Sequence, residues 1–158
     1  MKFYCRQANL DDLTTLLDFE QGIIAAERPF DPTLKEDPIS YYDLRAYILS
    51  DDVEVAVVEE NGRLIGSGYA LIKEAKPYLD HKTYAYLGFM YTHPEYRGRG
   101  VNRSVVDHLR KWAGSKGVGE IRLTVYNENL PAIRAYEKIG FEKHILEMRL
   151  RTEPSKMK

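Results

Sequence analysis

Tyr96-Arg97-Gly98-Arg99-Gly100-Val101-Asn102-Arg103 joins two unlike patterns. Residues 84–92 before it are aromatic-rich and strand-like. Residues 101–116 after it repeat Val101, Val105, Leu109 and Trp112 every three to four positions, the spacing of an amphipathic helix. Glycine lets the chain turn sharply and lets a ligand approach the backbone. The first N–H groups of a helix have no internal partner, and the helix dipole favours negative charge there. Arg97, Arg99 and Arg103 add forked positive groups suited to phosphate. The junction therefore reads as an anion cradle for a phosphorylated small molecule. The arginines could equally be a solvated charge face on a plain turn. G-x-G-x-x-G is absent, since position 103 is arginine, and no Gly-Lys-Ser/Thr of a Walker loop occurs.

Working outward, residues 3–6 read as a short strand, and Asn9 with Asp12 as a capping box. Leu10, Leu13, Leu16, Leu17 and Ile24 form an apolar stripe at helical spacing. Residues 28–40 hold three prolines and predict a loop, and residues 41–49 a short helix. Residues 53–59 and 63–73 read as a hairpin closed by Asn61-Gly62, with Gly66 and Gly68 permitting a bulge or a close backbone approach. Residues 83–92 predict a third strand, ended by His93-Pro94. Gly117 and Gly119 stop the following helix. Ile121, Leu123 and Val125 alternate with polar residues as a half-buried strand. Asn129 and Pro131 start a helix with Ala132, Ala135, Tyr136 and Ile139 on one face, ended by Gly140. Residues 144–151 predict a last strand. Helices between strands indicate a mixed α/β sandwich.

The bulk numbers narrow the class. The chain's 158 residues, 44% of them hydrophobic, suffice for one domain with a real core. A net charge of −1 argues against a dedicated nucleic-acid binder. A lone cysteine, Cys5, excludes an internal disulfide and a thiolate zinc cluster, so no metal is expected and a reducing, cytoplasmic setting fits. No apolar run approaches the roughly 20 residues of a membrane span, and no signal-peptide core is evident.

A second motif follows about thirty residues on. Asn129, Ala132, Tyr136 and Gly140-Phe141 are spaced by three, four and four, so Ala132 and Tyr136 share a helical face and the small Ala132 leaves room for a ligand chain. Together with Pro94-Glu95-Tyr96-Arg97-Gly98-Arg99-Gly100, this pattern resembles the GNAT superfamily of acetyl-CoA-dependent N-acetyltransferases over almost the whole chain. The resemblance implies one domain over residues 1–152 with a polar tail at 153–158, and a central, twisted, mixed sheet with helices on both faces. It implies that the loop Arg97, Gly98, Arg99, Gly100, Val101 and Asn102, with Arg103, holds the CoA pyrophosphate. Met90, Tyr91 and Thr92 would pair their backbone with the pantetheine arm, and Asn129 would contact that arm. Tyr136 would stand by the thioester sulfur and protonate the departing thiolate. Read without the family, Tyr136 is a core tyrosine and Asn129 a helix cap.

Two features depart from the family pattern. Asn102 stands where glycine or alanine usually closes the loop. Residues 86–90 carry no acid where many relatives place a glutamate. The proton of the amine could leave through water helped by Tyr84, Tyr86 or Glu27, or through His93. The tyrosines of residues 41–91 either line an acceptor cleft or pack across strands, and Glu27, Asp31, Glu36 and Asp37 either attract an amine or keep a loop wet. The expected reaction is direct acetyl transfer to a primary amine of a small molecule or protein in a ternary complex. Rival readings are a non-catalytic acyl-CoA-binding or sensing domain and a phosphate-binding interaction module. A homodimer, through sheet edges or the last strand, is left open.

Overall fold

The computed structural model describes residues 3–152; the polar tail expected at 153–158 lies outside the described residues. The chain divides into two compact units, Met1–Thr124 and Val125–Lys158. The first is built on a five-stranded sheet in the order β1 (Tyr4–Gln7), β2 (Val53–Glu60), β3 (Arg63–Glu74), β4 (Thr83–Thr92) and β5 (Ile121–Arg122). β1 to β4 pair antiparallel and β5 runs parallel to β4. The β2–β3 turn uses left-handed Asn61 (φ 53°) and Gly62 (φ 80°), as the Asn-Gly pair dictates.

Helices α1 (Leu13–Glu27) and α3 (Val101–Ser115) cover opposite faces of this sheet, and the short α2 (Leu44–Leu49) packs beside α1. On the α1 face Leu16, Phe19, Ile23 and Leu44 join Val55, Val57, Tyr69 and Phe89 in one core. Alternation sends Glu54 and the two β3 glycines the other way, toward α3. Asn9 and Asp12 form the expected capping box, but it opens a 3₁₀ turn at Leu10–Asp12 rather than α1 itself. That tighter turn shifts the helical phase. Leu10, within that turn, points outward, as does Leu17 on the flank of α1, whereas Leu16 and Ile24 of the expected stripe are buried together with Phe19, Glu20 and Ile23. Buried Glu20 accepts hydrogen bonds from the Tyr41 and Tyr42 N–H groups, both at 2.8 Å, and so staples the proline-rich loop to α1.

Gly66 and Gly68 are there because α3 lies so close. A Cβ on Gly66 would sit 2.5 Å from Val101 Cγ1, and one on Gly68 2.5 Å from Val105 Cγ1. Gly66→Ala is therefore expected to destabilise the protein by about 1–3 kcal/mol through overpacking. At roughly 2–4 °C per kcal/mol, thermal unfolding reads this directly. An unchanged midpoint would show that α3 yields without cost.

The second unit holds α4 (Leu130–Ile139), with buried Ile133 on its inner face. Asn129 Oδ1 accepts from the Ala132 N–H at 3.3 Å, and Gly140 ends the helix at φ 122°. Two expectations fail. The strand foreseen over residues 121–126 forms a ladder only at Ile121–Arg122. Residues 144–151 form no strand: Ile145, Leu146, Met148 and Leu150 are 64–87% exposed and lack the alternating burial a half-buried strand requires.

Candidate active site

The cradle is assembled in the first unit by a change of backbone hand. A 3₁₀ turn at Pro94–Tyr96 ends β4, and His93 Nδ1 accepts from the Glu95 N–H to hold that turn. The chain is then extended at Arg97 and left-handed at Gly98 (φ 77°) and at Gly100 (φ 87°), which is the N-cap of α3. A Cβ at either glycine would meet nothing within 4 Å. The requirement is conformational, since a left-handed residue other than glycine is strained. The Ser104 N–H is the first of the helix to bond back, to Gly100 O at 3.1 Å. Residues 101–103 form the first turn of α3, whose N–H groups an α-helix leaves without internal partners and where an anion is favoured.

The side chains around the cradle are graded by exposure. Val101 is buried against Gly66 of β3 and pins the helix end to the sheet. Arg97, Gly98, Arg99, Gly100 and Arg103 are exposed, and Asn102 is half-buried. The Arg99 guanidinium lies over the Tyr96 ring at 5.2 Å, and the Tyr96 hydroxyl donates to Glu60 at 3.1 Å.

Upstream, β4 is interrupted in a way that the sequence did not disclose. Ser67 pairs with Tyr91 while Tyr69 pairs with Gly88, so β4 carries a bulge at Phe89 and Met90. Phe89 is left-handed there (φ 57°), a strained state for an aromatic residue. Its carbonyl accepts from Ser67 Oγ at 3.1 Å, and its N–H donates to the Tyr42 phenol oxygen. The parallel ladder to β5 ends at Tyr86–Arg122, so β4 runs on through residues 87–92 past the last rung. Met90, Tyr91 and Thr92 lie in that stretch. The Tyr91 ring stacks on Phe19 at 4.2 Å.

Beside the bulge stands an aromatic and acidic cluster. Tyr42 meets Tyr69 (5.3 Å), Phe89 (5.6 Å) and Tyr41 (5.6 Å) edge-on, and Tyr47 meets Tyr69 (5.2 Å). Burial pushes the Tyr42 and Tyr69 phenols up, so both stay protonated. Glu27, the last residue of α1, belongs to this cluster. Burial raises its carboxyl above the usual range, opposed by the neighbouring Tyr41 phenol and reinforced by repulsion from Asp31.

The other acceptors named from sequence are engaged elsewhere. Tyr84 lies under the Arg122 guanidinium at 3.9 Å, and the Tyr86 hydroxyl is 2.7 Å from Thr124 Oγ1. His93 Nε2 is 3.0 Å from Arg63 Nη2. Asp31 caps its own turn by accepting from the Thr33 N–H at 2.9 Å. In the second unit Asn129 serves as the cap of α4. Tyr136 is half-buried, its ring edge-on to Phe141 at 5.7 Å.

The Acetyltransferase (GNAT) family profile matches residues 21–141. An acetyltransferase of Yersinia pestis is 29% identical over 131 residues, covering 79% of this chain and 82% of its own length. A predicted acetyltransferase from Clostridium acetobutylicum, solved with acetyl-CoA, superposes with a TM-score of 0.70 at 19% identity, over 95% of this chain and 96% of that one. The aminoglycoside N-acetyltransferase AAC(6′)-Iy, solved with CoA, superposes with a TM-score of 0.69 at 19% identity, over 94% of this chain and 100% of that one. The chain belongs to the GNAT acetyltransferase family, and its mixed sheet with helices on both faces is the fold of that family. Acetyl transfer is thereby its class of chemistry.

Proposed function

We propose that this protein is an acetyl-CoA-dependent N-acetyltransferase that acts on a primary amine by direct attack, as one catalytic domain over residues 1–152. The observation that carries this reading is the pair of left-handed glycines delivering the chain into the N-terminus of α3. That arrangement suits a diphosphate. The N–H groups of Val101, Asn102 and Arg103 would take its oxygens, and Arg97, Arg99 and Arg103 would screen its charge. The run of β4 past its last β5 rung offers Met90, Tyr91 and Thr92 as an edge for the amide-bearing arm of CoA, by strand addition. The Asn129 amide would contact the same arm. The relatives solved with acetyl-CoA and with CoA support this choice of cosubstrate.

The chemistry needs two proton transfers. A lysine-like amine is an ammonium near neutral pH, with a pKa of about 10.4. Glu27 is the proposed acceptor of its proton, because it stands against Tyr42, whose ring touches the β4 bulge. The freed nitrogen attacks the thioester carbonyl carbon, the carbon–sulfur bond breaks, and the sulfur takes the Tyr136 hydroxyl proton. The motif around Tyr136 supports that assignment.

Glu27→Gln should lower kcat about tenfold, below the roughly 10²–10⁴-fold typical of a general base because water still offers a route. The wild-type rate should rise as pH climbs through the elevated Glu27 pKa, since only the carboxylate accepts a proton. The Gln variant should lose that limb, and a profile unchanged by the substitution would remove Glu27 from the role. The overall reading is tested by thiol release from acetyl-CoA against a panel of amines, with intact-mass detection of the acetylated product. CoA binding without thiol release from any amine would favour the sensing domain instead.

A further inference from the structure

The two ends of β4 aim their amides at opposite neighbours. The Ala85 N–H donates to Glu120 O at 2.9 Å, on the β5 side, and the His93 N–H donates to Ile65 O at 2.8 Å, on the β3 side. Both positions are odd-numbered. In an unbroken strand their backbone groups would face the same way, because the direction alternates residue by residue. One extra residue reverses that phase. Between the pairs Tyr69–Gly88 and Ser67–Tyr91, β3 advances by two residues and β4 by three. The side chains record the same slip. A Cβ on Gly88 would lie 2.4 Å from the Tyr69 hydroxyl, and Phe89, next in sequence, packs in the same core as Tyr69. Adjacent residues of a regular strand would face opposite sides of the sheet.

The phase decides which residues meet a ligand. After the bulge, Tyr91 and His93 turn their backbone groups to β3. Met90 and Thr92 therefore turn theirs to the β5 side, past the last rung at Tyr86–Arg122. The turnover falls at Phe89, whose left-handed backbone (φ 57°) persists only if the surroundings hold it. Ser67 supplies that hold. Its side chain is fully buried, and its hydroxyl donates to the Phe89 carbonyl at 3.1 Å.

We propose that Ser67 is a positioning residue for acetyl transfer: by holding the Phe89 carbonyl within the sheet, it fixes the phase of β4 and presents the backbone of Met90 and Thr92 to the pantetheine arm. This rests on the strand-addition reading given above. Were Phe89 to relax to an extended backbone, the phase would revert and Tyr91 would face the arm instead.

Two ligands test this by calorimetry on Ser67→Ala: CoA, and 3′-phospho-ADP, which keeps the diphosphate but lacks the pantetheine arm. CoA should bind about tenfold more weakly than to wild type, and 3′-phospho-ADP within about twofold of wild type, because only the arm uses the β4 edge. Equal weakening of both, as general loss of structure would give, or weakening of neither, would overturn the proposal. Amide hydrogen exchange on wild type alone gives a second measurement. CoA should slow exchange at Met90 and Thr92 and leave Tyr91, already turned to β3, unchanged. New protection at Tyr91 and none at Met90 and Thr92 would overturn the proposal without recourse to the variant. Wild type that binds neither ligand would remove the CoA reading itself, and this inference with it.

Discussion

Tyr136→Phe is expected to lower kcat on the order of 10²-fold while leaving acetyl-CoA affinity within about twofold. A positioned acid matters because the departing thiolate must be neutralised as the bond breaks. Losing that proton donor raises the barrier by roughly 2.7 kcal/mol at a hundredfold. The substitution is unusually clean. The Tyr136 ring packs edge-on against Phe141, and phenylalanine keeps that contact. Only the hydroxyl is lost, so a purely structural tyrosine predicts the opposite outcome, an unchanged kcat. Pre-steady-state measurement of thiol release separates the chemical step from product departure.

The second large effect belongs to Gly100. Valine there should reduce CoA affinity by about 10²-fold, and thermal stability by the 1–2 kcal/mol that a left-handed non-glycine residue costs. Gly100 sits at φ 87° with open space around its missing side chain, so the defect does not come from packing. It comes from the backbone. Either the residue stays left-handed under strain, or it relaxes and swings the first N–H groups of α3 away from the phosphate position. Hydrogen bonds to a charged group are worth about 1.5–3 kcal/mol each, so losing one or two accounts for the predicted loss. Equilibrium titration with CoA, alongside thermal unfolding of the same variant, checks both halves. Affinity unaltered at equal folding would mean that the ligand is held elsewhere.

The elements that sequence revealed are those whose signals are local. Asn61-Gly62 demanded a tight turn, the spacing of Val101, Val105 and Leu109 a helix face, and Asn129 with Gly140 both ends of α4; each is present. Gly66 and Gly68 were legible as points of close approach because no side chain fits there, and α3 supplies the reason. What stayed hidden depends on partners distant in sequence. The bulge that leaves Phe89 left-handed arises from the register between β3 and β4, and nothing in Gly88-Phe89-Met90 alone announces it. The same holds for Glu20, which the sequence pattern did not single out although it accepts from the Tyr41 and Tyr42 N–H groups of the loop. Its only trace is an acid flanked at one side by Phe19 and one turn on by Ile23 and Ile24. Residues 144–151 erred in the other direction. Ile145, Leu146, Met148 and Leu150 suggested a strand, but propensity does not supply a pairing partner.

At the candidate site, the sequence pointed to a phosphate loop and left the proton acceptor unresolved among Glu27, Tyr84, Tyr86 and His93. Three-dimensional context separates them. Three are tied to Arg122, Thr124 or Arg63, and one carboxylate is held in an aromatic cluster that raises its pKa. Burial of that kind is what tunes an acid toward general-base work near neutral pH.

Isothermal titration of CoA into the folded protein tests the central claim most directly, because cradle, cosubstrate and chemistry all depend on that association. Saturable heat with one site per chain is predicted, with a dissociation constant in the micromolar range and weakening in Gly100→Val. No heat at millimolar CoA, with circular dichroism confirming a folded protein, would contradict it.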